Sequence, residues 1–396
     1  MKILADENIP YVREAFAALG AVETIGGRAI TSERARDADI LLIRSITRVN
    51  RALLDGSRVR FVGSATIGED HVDKSYLAER GIAFASAPGC NANSVGDYIV
   101  SALLALAESF DLDLSAMSLG VIGVGNVGRN VAAKAAALGL TCVWNDPPLA
   151  RDTGDVRYRP LEDALACDIV TLHVPLTKTG PDATVHMADA SFFRRLNPGA
   201  FFINSSRGAV VDESALMSAL REGRVKACVL DVWENEPDID VELLNRAFIG
   251  TPHIAGYSFD GKVNGTRQIY EAACRFLGRP PTWDPAPLLP PPDCPEVRVD
   301  GSSARPQDEV RKAVFAVYDV RRDDAAMRKI RSEPPDRRRA FFDHLRKNYP
   351  RRRECFLTRA VVTPPNDALA SRLRGLGFQC PSDRTRAGGR EKDISQ

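Results

Sequence analysis

Nowhere in the sequence does an apolar run approach the roughly 20 residues that a membrane span needs, so no membrane partner is expected. The opening, Met1-Lys-Ile-Leu-Ala-Asp-Glu-Asn-Ile-Pro10, has too short an apolar run for a signal peptide and leads straight into a strand-like segment. A cytoplasmic protein is therefore expected. Charge of one sign is also lacking: 53 Lys and Arg stand against 52 Asp and Glu, a net +1. That balance gives no overall basic excess for nucleic acid. The 8 cysteines are scattered and form no CxxC pair. Cys142, Cys167 and Cys228 sit in apolar strand-like runs, where reduced core thiols are expected and neither disulfides nor a metal centre. No internal repeat is visible. What remains is an ordinary balanced chain of 396 residues, long enough for two or three domains.

The stretch Leu119–Asp146 stands out from this background. An apolar run, Leu119 to Ile122, leads directly into Gly123-Val-Gly125-Asn126-Val127-Gly128. A helical pattern through Val131, Ala132, Ala135 and Leu138 follows, stopped by Gly139, and a second apolar run ends at Asn145-Asp146. In a dinucleotide site the first glycine permits the strand-to-helix turn and the second lets backbone approach a pyrophosphate. The third lets helix and strand pack closely. The helix N-terminus then offers N–H groups and a positive dipole end to the phosphates. Asp146 falls where an acid would hydrogen-bond the adenosine ribose, and it would repel a 2′-phosphate, so NAD is expected rather than NADP. A glycine pattern alone can be a chance loop; strand before, helix after and acid beyond make this one specific.

Short buried strands are expected at Lys2–Ala5, Ile40–Arg44, Phe61–Gly63 and Ile82–Phe84, with a helix at Tyr11–Leu19. Their alternation predicts a parallel sheet. This first α/β unit lacks a glycine fingerprint, so the turns after its strands, Arg44–Thr47 and Gly63–Gly68, are candidates for an anion site or else plain hydroxyl turns. Ser94–Phe110 reads as a long apolar helix into the fingerprint domain. That domain continues with strands at Asp168–Val174, Ala200–Asn204 and Ala227–Val232. Asn264–Leu277 reads as a helix returning to the first unit. Arg279–Val297 is proline-dense and reads as an extended, stiff linker rather than a packed segment. Beyond it, helices are expected at Asp308–Val320, Ala325–Tyr349 and Leu369–Leu376, and a strand at Phe356–Val362. Arginine blocks at 337–339 and 351–353 are interspersed with acids and lack a nucleic-acid motif, which favours a solvated or subunit-facing surface. The predicted division is 1–95 with 256–280 as substrate-binding domain, and 96–255 as NAD-binding domain. A linker at 281–297, a C-terminal domain at 298–380 and a disordered tail at 381–396 complete it.

Three strand ends carry ionisable groups. Asn204-Ser-Ser-Arg207-Gly208 offers a guanidinium fork matched to a carboxylate. Asp231-Val-Trp-Glu234-Asn-Glu236 places acids in and after a hydrophobic run, and Thr251-Pro-His253-Ile sets a histidine between proline and apolar residues. Taken singly, each has an ordinary reading: a surface arginine, acids reaching solvent, a satisfied core histidine. Taken together they make the oxidation of a 2-hydroxy acid. NAD accepts the hydride. His253 takes the proton, since imidazole titrates near 6.5 in water. Glu236 orients the ring, Arg207 clamps the carboxylate and polarises the developing carbonyl, and Asp231 stands by the nicotinamide.

Val121–Gly128, His173–Leu176, Asn204–Glu213, Leu230–Pro237 and Pro252–Tyr257 resemble, in the right order, the D-isomer-specific 2-hydroxyacid dehydrogenase family. The resemblance covers roughly residues 1–280. It implies two doubly wound parallel-sheet (Rossmann/flavodoxin-like) domains, the NAD domain inserted into the substrate domain, and a catalytic set of Arg207, Glu236 and His253. Gly123, Gly125, Asn126, Val127, Gly128, Asp146, Asp231 and Gly256 would contact NAD. One departure is visible: the family's helix usually opens with valine-alanine-glutamate, and here stand Val95-Gly96-Asp97. Likeness to family members that act on a phosphorylated acid extends over nearly the whole chain. It implies substrate contacts at Ser45, Thr66 and Tyr257, and an NAD contact near Val174. The segment after the linker would then be a small α+β domain that forms a homodimer, and one of its arginines would reach the partner's active site. A member acting on a phosphorylated acid one carbon shorter, or a NAD-sensing corepressor on the same fold, are the alternatives.

Overall fold

The computed structural model describes residues 1–381; the expectation for the tail falls, from 382 onward, outside the described residues. Five parallel strands form the first sheet: β1 (Lys2–Asp6), β2 (Ala21–Ile25), β3 (Ile40–Ile43), β4 (Phe61–Ser64) and β5 (Ala83–Ala85). Their order is β2-β1-β3-β4-β5. β3 and β4 are fully buried apolar runs, as strands covered by helices on both faces must be. β2 (AVETI) escaped the sequence reading because it is an edge strand with no buried residue to set a pattern.

The second sheet holds β6 (Ser118–Ile122), β7 (Thr141–Asn145), β8 (Ile169–Leu172), β9 (Ala200–Asn204), β10 (Val225–Leu230) and β11 (Ile249–Gly250). Its order is β11-β10-β9-β8-β6-β7, again all parallel. In both sheets the order reverses beside the first strand, between β1 and β3 and between β6 and β8. Open α/β sheets bind ligands at the carboxyl ends of such strands. The helix Phe259–Phe276 comes back to the first sheet, where Ile269, Tyr270, Ala273 and Cys274 complete its core.

The long helix Ala92–Phe110 packs on the glycine-loop helix Asn126–Leu138. The departure at Gly96-Asp97 has a packing reason there. A β-carbon on Gly96 would lie 2.0 Å from Asn130 Oδ1 and 3.0 Å from Lys134 Cδ. Asp97 Oδ1 in turn accepts from Lys134 Nζ at 2.6 Å, with the side chains 4% and 5% exposed. Lys134 Nζ also donates to Leu376 O, tying the C-terminal segment to this helix pair.

That segment holds β12 (Glu296–Asp300) and β13 (Arg359–Thr363), paired in parallel, with helices at Pro306–Val317, Arg321–Met327, Pro335–Lys347 and Asp367–Gly375. The single helix expected over Ala325–Tyr349 is broken, because Pro334 and Pro335 remove amide donors and start a new helix instead. The proline-dense stretch is also not a free spacer. Trp283 packs edge-on to Tyr270 at 5.9 Å, Leu288 O accepts from Tyr11, and its last two residues already belong to β12. All eight cysteines are free thiols. No helix among the described residues is long and apolar enough to cross a membrane.

Candidate active site

The functional candidates lie at carboxyl ends of strands in both sheets. Beyond β6, Gly123 has φ +86, a conformation that favours glycine, and a β-carbon there would lie 2.7 Å from His173 C. A β-carbon on Gly128 would strike Gly123 O at 2.0 Å, whereas Gly125 faces open space. The helix that starts at Asn126 has no side-chain cap, so its first N–H groups are free for a ligand. Val174, beyond β8, leans on this loop, its Cγ1 2.8 Å from where a Gly123 β-carbon would sit. Asp146, beyond β7, accepts from Val124 N at 2.8 Å and Leu149 N at 3.0 Å. The loop thus has the shape for a pyrophosphate and an acid fixed at its rim.

His253 follows β11 and has φ +58, a backbone region costing a side chain with a β-carbon about 1–2 kcal/mol. Asp231, 1% exposed, fixes that bend. Its Oδ1 accepts from Ile254 N (2.7 Å) and Thr251 Oγ1 (2.7 Å), and its Oδ2 accepts from Ala255 N (2.9 Å). The His253 N–H itself donates to Asp231 O at 2.7 Å. Both carboxylate oxygens of Asp231 are therefore committed to the loop that carries the histidine. Glu236 Oε2 lies 2.7 Å from His253 Nδ1, and Glu236 Oε1 accepts from Trp233 N at 2.9 Å. Burial acts against the Glu236 charge. His253, the Trp233 amide and the charge of Arg346 outweigh it, and the carboxyl is held below its ordinary value.

Arg207, after β9, reaches toward the first sheet. Its Nε and Nη2 stand 3.4 and 3.5 Å from Asp70 Oδ2, and Nη1 donates to Ser206 O at 2.8 Å. The guanidinium lies so close to Gly68 that a β-carbon there would be 2.4 Å from Nη2. The pairing with Asp70 is long and half-exposed, so the fork remains available to a ligand. Thr66, after β4, bonds Ser64 Oγ at 2.9 Å, and Ser45, after β3, is exposed. Gly256 packs against Asn91 at the start of the long helix, where a β-carbon would be 2.1 Å from Asn91 Nδ2.

Tyr257 marks where the C-terminal segment enters the site. Arg346 Nη2 donates to its hydroxyl at 3.2 Å. This arginine comes from the same chain as Tyr257. Arg352 and Arg353 are held internally: Arg352 donates to Ser94 O and Ala255 O, and Arg353 pairs with Asp260. Arg351 pairs with Asp293 at the surface. Sequence reasoning missed Asp70, which pairs with Arg207, and Lys262, whose Nζ lies 4.6 Å from the centroid of the Tyr257 ring. Neither carried a local signal in the sequence.

A family model described as the NAD-binding domain of D-isomer specific 2-hydroxyacid dehydrogenases matches residues 105–255. A second, described only as a domain of unknown function, matches residues 288–377. Among solved structures, the fold matches D-lactate dehydrogenase from Aquifex aeolicus, complexed with NAD and lactic acid. The TM-score is 0.58 at 23% identity, covering 70% of this chain and 96% of that one. NAD-bound 3-phosphoglycerate dehydrogenase of Entamoeba histolytica matches with a TM-score of 0.61 at 24% identity, covering 70% and 95%. The chain belongs to the D-isomer-specific 2-hydroxyacid dehydrogenase family. Within it, the chain is 48% identical to the erythronate-4-phosphate dehydrogenase of Cronobacter sakazakii, over 96% of its own length and 98% of that relative's. It is 46% identical to the Escherichia coli enzyme of the same name, over the same shares of the two chains.

Proposed function

We infer that the protein oxidises 4-phospho-D-erythronate at C2 to (R)-3-hydroxy-2-oxo-4-phosphooxybutanoate with NAD, the dehydrogenase step of pyridoxal 5′-phosphate (vitamin B6) synthesis. The likeness to enzymes named for this substrate runs over nearly the whole chain, C-terminal segment included. The observation that carries the chemistry is the His253–Glu236 pair at 2.7 Å in the cleft reached by Arg207. NAD would be held by the 123–128 loop, Asp146, Val174 and Gly256, with Asp231 shaping the loop at its nicotinamide end, and would accept the C2 hydride. With Nδ1–H donated to Glu236, the other ring nitrogen of His253 is left to take the hydroxyl proton, and the buried carboxylate steadies the imidazolium that results. Arg207 binds the substrate carboxylate and draws electron density from the carbonyl as it forms. Ser45, Thr66 and Tyr257 line the substrate side. Acting as a cytoplasmic homodimer joined through the C-terminal segment belongs to the same reading; light scattering of the intact chain checks the oligomeric state.

The test is NADH formation from 4-phosphoerythronate by the unmodified protein and by His253→Ala, with NAD binding followed separately by fluorescence. Turnover lost with NAD affinity kept is the expected result. Undiminished turnover would refute the assignment of the base.

A further inference from the structure

Beside the catalytic groups stands a set of cations that the oxidation itself does not use. Lys262, in the first turn of the helix Phe259–Phe276, sets its Nζ 4.6 Å from the centroid of the Tyr257 ring. Arg346 approaches the same ring, its Cζ 5.8 Å from the centroid, and its buried Nε has no hydrogen-bond partner. Arg44 is the first residue beyond β3, at the carboxyl edge of the first sheet. Among the described residues, no carboxylate lies within ion-pair distance of Arg44, Lys262 or Arg346, whereas Arg207 pairs with Asp70 and Arg353 with Asp260. Half-buried cations without an ion-pair partner are costly, so an anion is the partner this arrangement lacks.

The position also fits. Arg44 sits where the strand order of the first sheet reverses, the place such sheets offer a ligand. Tyr257 follows His253 by one turn of chain, and Arg346 is near enough to act on Glu236. A phosphorylated 2-hydroxy acid brings a carboxylate and a phosphate monoester of about −1.5 to −2 charge near pH 7. Arg207 answers the first; nothing else in the catalytic set answers the second. Arg352 is excluded, since it is enclosed at 6% exposure and donates to backbone carbonyls.

We propose that Lys262 and Arg44, with Arg346 across the ring of Tyr257, form the subsite for the phosphate monoester end of the substrate. These residues then decide whether the phosphorylated acid is preferred over its dephosphorylated counterpart. The proposal rests on the oxidation reading above. Arg346 also acts as a positioning residue by holding the Tyr257 hydroxyl.

The test compares kcat/KM for 4-phosphoerythronate and for erythronate in the unmodified protein, Lys262→Met, Lys262→Arg and Arg44→Gln. Removing one charged hydrogen-bond donor should shrink the preference for the phosphorylated acid by about 10- to 150-fold, mostly through KM, and Lys262→Arg should restore much of it. Equal losses on both acids would overturn the proposal. If the unmodified protein oxidises neither acid, the reading of the reaction fails, and the subsite is judged by inorganic phosphate alone. Calorimetric phosphate affinity at least 10-fold weaker in folded Lys262→Met supports the subsite, and unchanged affinity overturns it.

Discussion

Nδ1 of His253 lies 2.7 Å from Oε2 of Glu236, whose other oxygen is held by the Trp233 amide. The carboxylate is fixed before the histidine meets it, so the ring orientation is set by the loop after β10 rather than by the substrate. Glu236→Gln keeps the shape and removes the charge. The expected result is a fall in kcat of about 10²- to 10⁴-fold with little change in KM, as for other acids that orient a catalytic imidazole. Steady-state kinetics check this. A KM effect with kcat intact would make Glu236 a binding residue instead.

Lys262 carries a pH prediction. Burial, then the charges of Arg44 and Arg352, push its ammonium down to about 8. Above that pH the free protein loses the cation, so kcat/KM for the phosphorylated acid should fall as pH rises past about 8. Lys262→Arg keeps the charge and should remove that limb of the profile. A limb that persists in the arginine variant assigns the titration to another group.

Glu213 gives a stability prediction of the opposite kind. Burial, and then the charges of Glu234, Asp240 and Glu236, raise its carboxyl to about 7, while its oxygen accepts from Glu234 N at 2.9 Å. A raised carboxyl binds a proton in the native state that the unfolded chain has already released. Its stabilisation is therefore present below about 4.5 and is lost as pH climbs through about 7. Glu213→Gln keeps the acceptor without the charge. It should stabilise the protein by about 1–2 kcal/mol at pH 8, allowing for partial exposure, and change little at pH 5. Denaturant melts at the two pH values test it.

The buried Lys134–Asp97 pair joins the long helix to the glycine-loop helix and, through Leu376 O, to the C-terminal segment. Lys134→Met leaves a buried carboxylate alone and should cost about 3–5 kcal/mol; adding Asp97→Leu should return much of that. A double variant no more stable than the single would assign the cost to lost packing around Gly96.

The sequence made the β3, β4, β6, β8 and β9 strands legible, since each is a continuous apolar run bounded by turn residues. It could not show β2, an exposed edge, or β11, only two residues long. Arg207, Glu236 and His253 were legible because each follows a strand and the three come in a fixed order. Asp70 and Lys262 were not, because their part depends on contacts across the cleft that no local pattern encodes. Arg346, in an arginine-rich helix, turns inward to Tyr257 of its own chain. Composition alone does not reveal which way such a side chain points.

The most direct measurement is the rate of NADH formation with 4-phosphoerythronate set against 3-phosphoglycerate, on the same preparation and at the same pH. Oxidation of the four-carbon acid with kcat/KM at least about 10-fold higher is the predicted result, since a phosphate one carbon nearer the carboxylate would not span Arg207 and the Lys262 cluster together. Equal rates on the two acids, or a preference for the shorter one, would contradict it.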